Sequence, residues 1–170
     1  MKDIRTKEIN QNFFVNNYFY ANLTYQLITM RTPVKISENQ KRKIQKIVKN
    51  VLQKEKCVLL VYLHGSFLQN EFRDIDISVY INKTLSKKKQ LSYELFLEGK
   101  LQNIVSYPSD VRILNNAPLS FTFSVIKNGV ILFSKDEDQR IDFETKIFAK
   151  YHDFDLYRER YRREALGIYL

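Results

Sequence analysis

The chain has almost none of the residues that staple small folds or ligate soft metals. It carries one cysteine, Cys57, and two histidines, His64 and His152, in 170 residues. One cysteine excludes a disulfide framework and suits a reducing cytoplasm; lying just before an apolar run, Cys57 reads as a core residue. Two widely spaced histidines and one cysteine give no zinc pattern. No apolar run approaches the length of a membrane span, and no signal peptide is recognisable, so a cytoplasmic protein without membrane contact is expected. What remains is an ordinary globular composition, 44% hydrophobic and 28% charged, with length enough for one domain and a proper core. The net charge of +9 is read as basic, solvated helix faces. No aromatic-basic motif accompanies it, so direct nucleic-acid binding is not expected, although it would help attract a nucleotide.

The informative stretch is 58–81, VLLVYLHGSFLQNEFRDIDISVYI. Val58 to Leu63 is an unbroken apolar run, as in a strand buried on both faces. It stops at His64-Gly65-Ser66, a small-residue turn of the kind that lets backbone approach a ligand. Seven residues, Phe67 to Arg73, separate Ser66 from Asp74. From there Asp74, Asp76, Ser78 and Tyr80 alternate with Ile75, Ile77, Val79 and Ile81, which places both carboxylates on one face of a strand. Two like charges side by side on a half-buried strand call for a cation. The connection is too short for a parallel crossover, so the two strands run antiparallel and bring Gly65 and Ser66 beside Asp74 and Asp76. A phosphate-accommodating turn beside a paired-carboxylate cation site is a nucleotide site.

Further along, Ser37 with Gln40 forms a capping box ahead of a helix with Ile44, Ile47, Val48, Val51 and Leu52 inside and Lys41, Arg42, Lys43, Lys46 and Lys49 outside. A second helix is expected over roughly 88–102, buried through Leu91, Leu95 and Leu101. The strand Ser109–Leu114 then follows a helical crossover, is therefore parallel to the Asp74 strand, and puts Asp110 beside Asp74 and Asp76. Residues 115–134 are open to two readings: Phe121, Phe123 and Val125 alternate, and Asn128-Gly129 is a hairpin signal. A last helix starts near Asp136–Asp138, with a second part holding Leu156, Tyr157, Tyr161 and Leu166 inward and Arg158, Arg160, Arg162 and Arg163 outward. The pairs Asp136/Asp138 and Asp153/Asp155 point to opposite helix sides and read as caps and surface charges; His152 reads as structural.

Residues 1–29 mix Phe13, Phe14, Tyr18, Phe19, Tyr20 and Tyr25 with five asparagines and show no helical stripe. Met30 opens a segment that looks like a natural start. The first 29 residues are therefore either an appended or mis-assigned extension, or an aromatic arm for a partner; the catalytic-type domain is expected over 30–170.

Gly65-Ser66, a short spacer, then Asp74-Ile75-Asp76 resembles the motif of the DNA polymerase β-type nucleotidyltransferases. Within that superfamily the chain is most similar, over roughly 35–166, to the minimal nucleotidyltransferases (MNT), the antitoxin halves of HEPN–MNT toxin–antitoxin pairs. The loop is shorter than in many relatives and lacks glycine. The resemblance implies an α/β (α+β) polymerase β-like fold, a mixed sheet with flanking helices. For the ambiguous segment it implies a short helix from about Leu119, ended by Gly129, then a strand from Val130. It implies Asp74, Asp76 and Asp110 as catalytic residues holding Mg2+, and Gly65 and Ser66 as contacts to the phosphates of ATP. The implied reaction is transfer of AMP to a tyrosine of a cognate HEPN ribonuclease toxin, within a hetero-oligomer. Alternatives are an antitoxin acting by occlusion alone, or transfer to a small-molecule hydroxyl.

Overall fold

The computed structural model describes residues 33–167; the expectations for 1–29, and for a start at Met30, lie outside them. Strands β1 (Val34–Lys35), β2 (Val58–His64), β3 (Glu71–Phe72), β4 (Ile75–Ile81), β5 (Ser109–Ile113) and β6 (Val130–Ser134) alternate with helices α1 (Glu38–Gln53), α2 (Lys87–Gln102), α3 (Leu119–Asn128) and α4 (Glu137–Leu166). The main sheet has the order β5-β4-β2-β6, and β1 pairs with β3 separately. β2 is antiparallel to β4 and β6, whereas β4 and β5 are parallel. The α/β architecture, the antiparallel pair and the parallel crossover match expectation.

One sheet face packs Val61, Leu63, Ile75, Ile77, Val79, Val111 and Ile113 against Ile44, Val48 and Leu52 of α1 and Leu97 and Leu101 of α2. Each such side chain, once buried, contributes about 1.5–3 kcal/mol. This cluster fixes the register, because a one-residue slip of β4 would exchange its isoleucines for Asp76 and Ser78. On the other face Leu60, Tyr62, Leu114 and Val125 form a smaller cluster with Tyr80, Phe121 and Phe143. The rest of that face, nearest the C-terminal end of β2, carries the polar residues.

The capping box at Ser37 and Gln40 forms as read, with Ser37 Oγ accepting from the Gln40 amide. Lys41, however, belongs inside: it is 5% exposed, and its Nζ donates to the Gln69 carbonyl and pairs with Glu38 at 3.2 Å. α2 also departs from expectation. Leu91 and Leu95 are 54% and 47% exposed, while Glu94 is buried with Leu97 and Leu101. The reason lies in β5, an edge strand whose outward amides need acceptors. Glu98 Oε1 accepts from Val111 N at 3.0 Å and Glu94 Oε1 from Ile113 N at 2.8 Å, so the acidic stripe of α2 turns inward.

Residues 119–128 are helical, and the hairpin reading is overturned. Gly129 ends the helix at φ −84°, not in the left-handed region. Its requirement is space: a Cβ there would lie 2.5 Å from the Val125 carbonyl oxygen. α4 is one continuous 30-residue helix, N-capped by Asp136, which accepts from Gln139 N. Its second half does not pack as expected, because no described element lies alongside it. Tyr157 and Tyr161 are 70% and 62% exposed, with Leu156 and Leu166 also exposed. Cys57 is half-buried rather than the core residue that was expected, and His152 is exposed. No described helix is long and apolar enough to cross a membrane.

Candidate active site

Three neighbouring strands place the polar residues in a row. β2 pairs His64 with Asp76, and β4 pairs Asp76 with Asp110. Asp74 stands one residue before β4, two before Asp76 and half-buried like it. The amide of Ile75 between them donates to the Pro108 carbonyl at 2.9 Å, fixing the mouth of the β4–β5 pair. Strand register therefore brings Asp110, from beyond α2, beside Asp74 and Asp76.

Gly65 closes the other side. It takes φ +72°, and a Cβ at this position would lie 1.9 Å from Asp76 Oδ2, so both conformation and contact demand glycine. It opens a 3-10 turn, Gly65–Leu68, in which the Gln69 amide donates to the Ser66 carbonyl at 2.8 Å. Phe67 and Phe72, buried edge to face with centroids 4.8 Å apart, hold the short loop without any glycine of its own. The Ser66 backbone lies close enough to the Asp76 carboxylate to favour its ionised form.

Burial, then the charges of Asp74 and Asp110, push the Asp76 carboxyl up to about 6, against the pull of the Ser66 amide. Burial likewise lowers His64, opposed by the charge of Asp110. His64 Nε2 lies 2.8 Å from Ser78 Oγ and its ring meets Phe121 edge-on at 5.7 Å. Asp110 pairs with Arg112, two residues on and on the same face: Nε to Oδ1 is 3.0 Å and Nη2 donates to Oδ2 at 3.3 Å. Asp110 Oδ1 is itself covered and makes no hydrogen bond of good geometry. The site thus holds mutually repelling carboxylates, of which Asp110 is balanced only by its ion pair with Arg112. Among the described residues no three acidic, histidine or cysteine side chains converge as a ready-made cage. That donor set fits a hard cation which takes one or two carboxylates and completes its shell with phosphate oxygens and water.

Two cavities flank the row. One, of about 520 Å³, is lined by His64, Gly65, Ser66, Phe121, Ser124 and Asn128 among others. The other, about 290 Å³, lies between β5 and α2 and reaches Asp74 and Asp110.

Residues 45–138 match the family model described as polymerase beta, nucleotidyltransferase. The chain belongs to this family. Among solved structures this nucleotidyltransferase is similar to a chain from the complex of tri-AMPylated Shewanella oneidensis HEPN toxin with MNT antitoxin. The TM-score is 0.58 at 21% identity, over 74% of this chain and 98% of that one. A chain of the toxin–antitoxin MntA-HepT gives 0.56 at 21%, over 74% and 98%; one of the toxin–antitoxin with AMP-PNP gives 0.56 at 24%, over 72% and 98%. At such identities the likeness is one of fold. No curated protein matches.

In this nucleotidyltransferase the five residues singled out from sequence, Gly65, Ser66, Asp74, Asp76 and Asp110, lie in one locality. Sequence reasoning missed Arg112, whose signal was its place two residues after Asp110 on a strand. It also missed Lys41 and the pair Glu94/Glu98, whose four-residue spacing interrupts an apolar helix stripe.

Proposed function

We propose that this nucleotidyltransferase is an antitoxin that moves AMP from ATP to a tyrosine hydroxyl of a cognate HEPN ribonuclease toxin. The observation that carries the transferase reading is the register pairing of Asp76 with Asp110, with Gly65 packed against the Asp76 carboxylate. The toxin–antitoxin reading rests on the fold shared with the toxin–antitoxin complexes above, one of them holding a tri-AMPylated toxin and another AMP-PNP.

Asp74, Asp76 and Asp110 would hold magnesium, which supplies Lewis-acid neutralisation of charge building on the phosphate oxygens. The Ser66 hydroxyl and the Gly65 turn receive the phosphates, in the cavity they line. Asp110 takes the proton of the acceptor hydroxyl as its oxygen bonds the α-phosphorus. The bond from that phosphorus to the bridging oxygen breaks on the far side, and pyrophosphate leaves with the electron pair. Ser66 is not a nucleophile here: His64, the neighbouring base, is engaged with Ser78, and no acid–histidine pair activates the serine.

The test is the mass of the toxin co-expressed with wild-type protein or with Asp76→Asn. AMP-sized increments with wild type alone, with loss of neutralisation while the complex still forms, support the reading. Neutralisation by Asp76→Asn equal to wild type would leave occlusion as the mechanism.

A further inference from the structure

The cavity between β5 and α2 has no part in binding the nucleotide phosphates as placed above, yet it opens onto two carboxylates of the site. Its lining includes Arg73, Asp74, Leu91, Leu95, Asp110 and Arg112. We propose that it is the acceptor subsite, and that Arg73 and Arg112 select an aromatic hydroxyl flanked by an anionic group, as in a tyrosine beside acidic residues. The inference rests on the transfer reading above and adds to it the chemistry of the acceptor.

Position comes first. In-line displacement puts the entering oxygen and the leaving pyrophosphate on opposite sides of the phosphorus. Gly65 and Ser66 line the cavity on the β2 side of the carboxylate row. The acceptor therefore enters from the β5 side, where Asp110 lies. Size comes next. About 290 Å³ lies just under the low end of the range for whole small-molecule ligands, about 300–1,000 Å³. It is too tight for a second nucleotide or an oligosaccharide, and suits one side chain presented by a larger partner.

The lining then sets the chemistry. Leu91 and Leu95 spend a large part of their surface on no described neighbour, which gives a ring two apolar contacts. Four carboxylates also border the cavity, but each has a role. Glu94 and Glu98 turn an oxygen to the amides of Ile113 and Val111, and Asp74 and Asp110 face the cation site. The charges left for an incoming chain are the arginines. Arg112 spends two nitrogens on Asp110, which leaves Nη1 and its donors for an anion. Arg73 is exposed and makes no ion pair with the described residues.

The test uses two fluorescent peptides, each with a single tyrosine, flanked by glutamates or by serines. Binding in the presence of magnesium and AMP-PNP, and AMP transfer from ATP, are both measured. Wild type should favour the glutamate peptide by about tenfold in each, the scale of one charge-assisted hydrogen bond. Arg73→Glu, and separately Arg112→Gln, should bring that ratio towards one. Because it is a ratio within one variant, a general loss of activity at Arg112→Gln cancels. The double variant Lys43→Glu/Lys46→Glu, on the exposed face of α1, changes the total net charge by twice as much as Arg73→Glu and should leave the ratio intact. Equal use of the two peptides, or a preference lost equally in the lysine variant, would overturn the subsite. Transfer to both peptides alike would keep the transferase reading and remove the subsite. Selective binding without any transfer would keep the subsite and count against the transferase reading.

Discussion

Gly65 and Asp76 touch so closely that no other residue fits at position 65: an added Cβ would lie 1.9 Å from Asp76 Oδ2, on a backbone already at φ +72°. The turn and the carboxylate are thus one unit. Gly65→Ala should destabilise the fold by about 1–3 kcal/mol, the range for a strained left-handed residue. It should also reduce nucleotidyl transfer further than the lost stability explains, because Asp76 must move. Denaturant melts beside transfer rates at a temperature where both proteins are folded check this; an unchanged rate would contradict it.

The raised Asp76 carboxyl makes stability depend on pH. Its folded value, about 6, exceeds the unfolded value of 3.8, so the folded state holds the proton more tightly. The cost of ionising it is fully present above pH 6 and is relieved as pH falls from 6 towards 4. Two units would be about 3 kcal/mol, and screening at this half-exposed group reduces it to about 1–2 kcal/mol. His64 works the other way, its lowered value costing stability as pH falls through its unfolded range. The difference between wild type and Asp76→Asn isolates the carboxylate. Without magnesium, Asp76→Asn should be the more stable protein at pH 7.5 and lose that advantage by pH 4.

Magnesium should reverse the ordering. Added with AMP-PNP it should raise the melting temperature of wild type and leave Asp76→Asn nearly unmoved, since ligand binding to the folded state alone adds stability by mass action. Equal shifts in the two proteins would remove Asp76 from the cation site.

α2 covers the β5 edge through two carboxylates, and the two chemical changes that test this differ in outcome. Glu94→Gln keeps an oxygen for the Ile113 amide and should cost little. Glu94→Ala leaves that amide buried and unpaired, at about 1–3 kcal/mol, and exposes an edge prone to pairing with other chains. Melting curves and light scattering would show the contrast.

Lys41 anchors the end of the Gly65–Leu68 turn, by its hydrogen bond to the Gln69 carbonyl. Lys41→Met keeps the apolar stem and removes the donor. A loss of about 1–3 kcal/mol in stability is expected, together with a raised KM for ATP, because Gln69 closes the turn onto Ser66.

Period-two alternation and a short connection were enough to set Asp74, Asp76, Gly65 and Ser66 together, and the helical crossover was enough to bring Asp110. These are local rules, which is why they were legible. Where the inside of a helix is decided by what crosses it, the sequence was silent. Leu91 looked like core until the outward amides of β5 required Glu94 and Glu98 as acceptors. Lys41 looked like one more basic residue on a solvated face, and only the carbonyl of a loop 28 residues on brings it inside. The end of α4 carries apolar residues at helical spacing, a pattern that records burial without recording against what.

The most direct test of nucleotidyl transfer is to supply the protein and the proposed partner toxin with magnesium and ATP labelled either at the α-phosphate or at the γ-phosphate. The account predicts α-label on the toxin, γ-label in pyrophosphate, and neither with Asp76→Asn, whose rate should fall by about 10²–10³-fold or more, the scale of removing one preorganised electrostatic group. Label appearing on the toxin from the γ-position, or α-label transfer unaffected by Asp76→Asn, would contradict it.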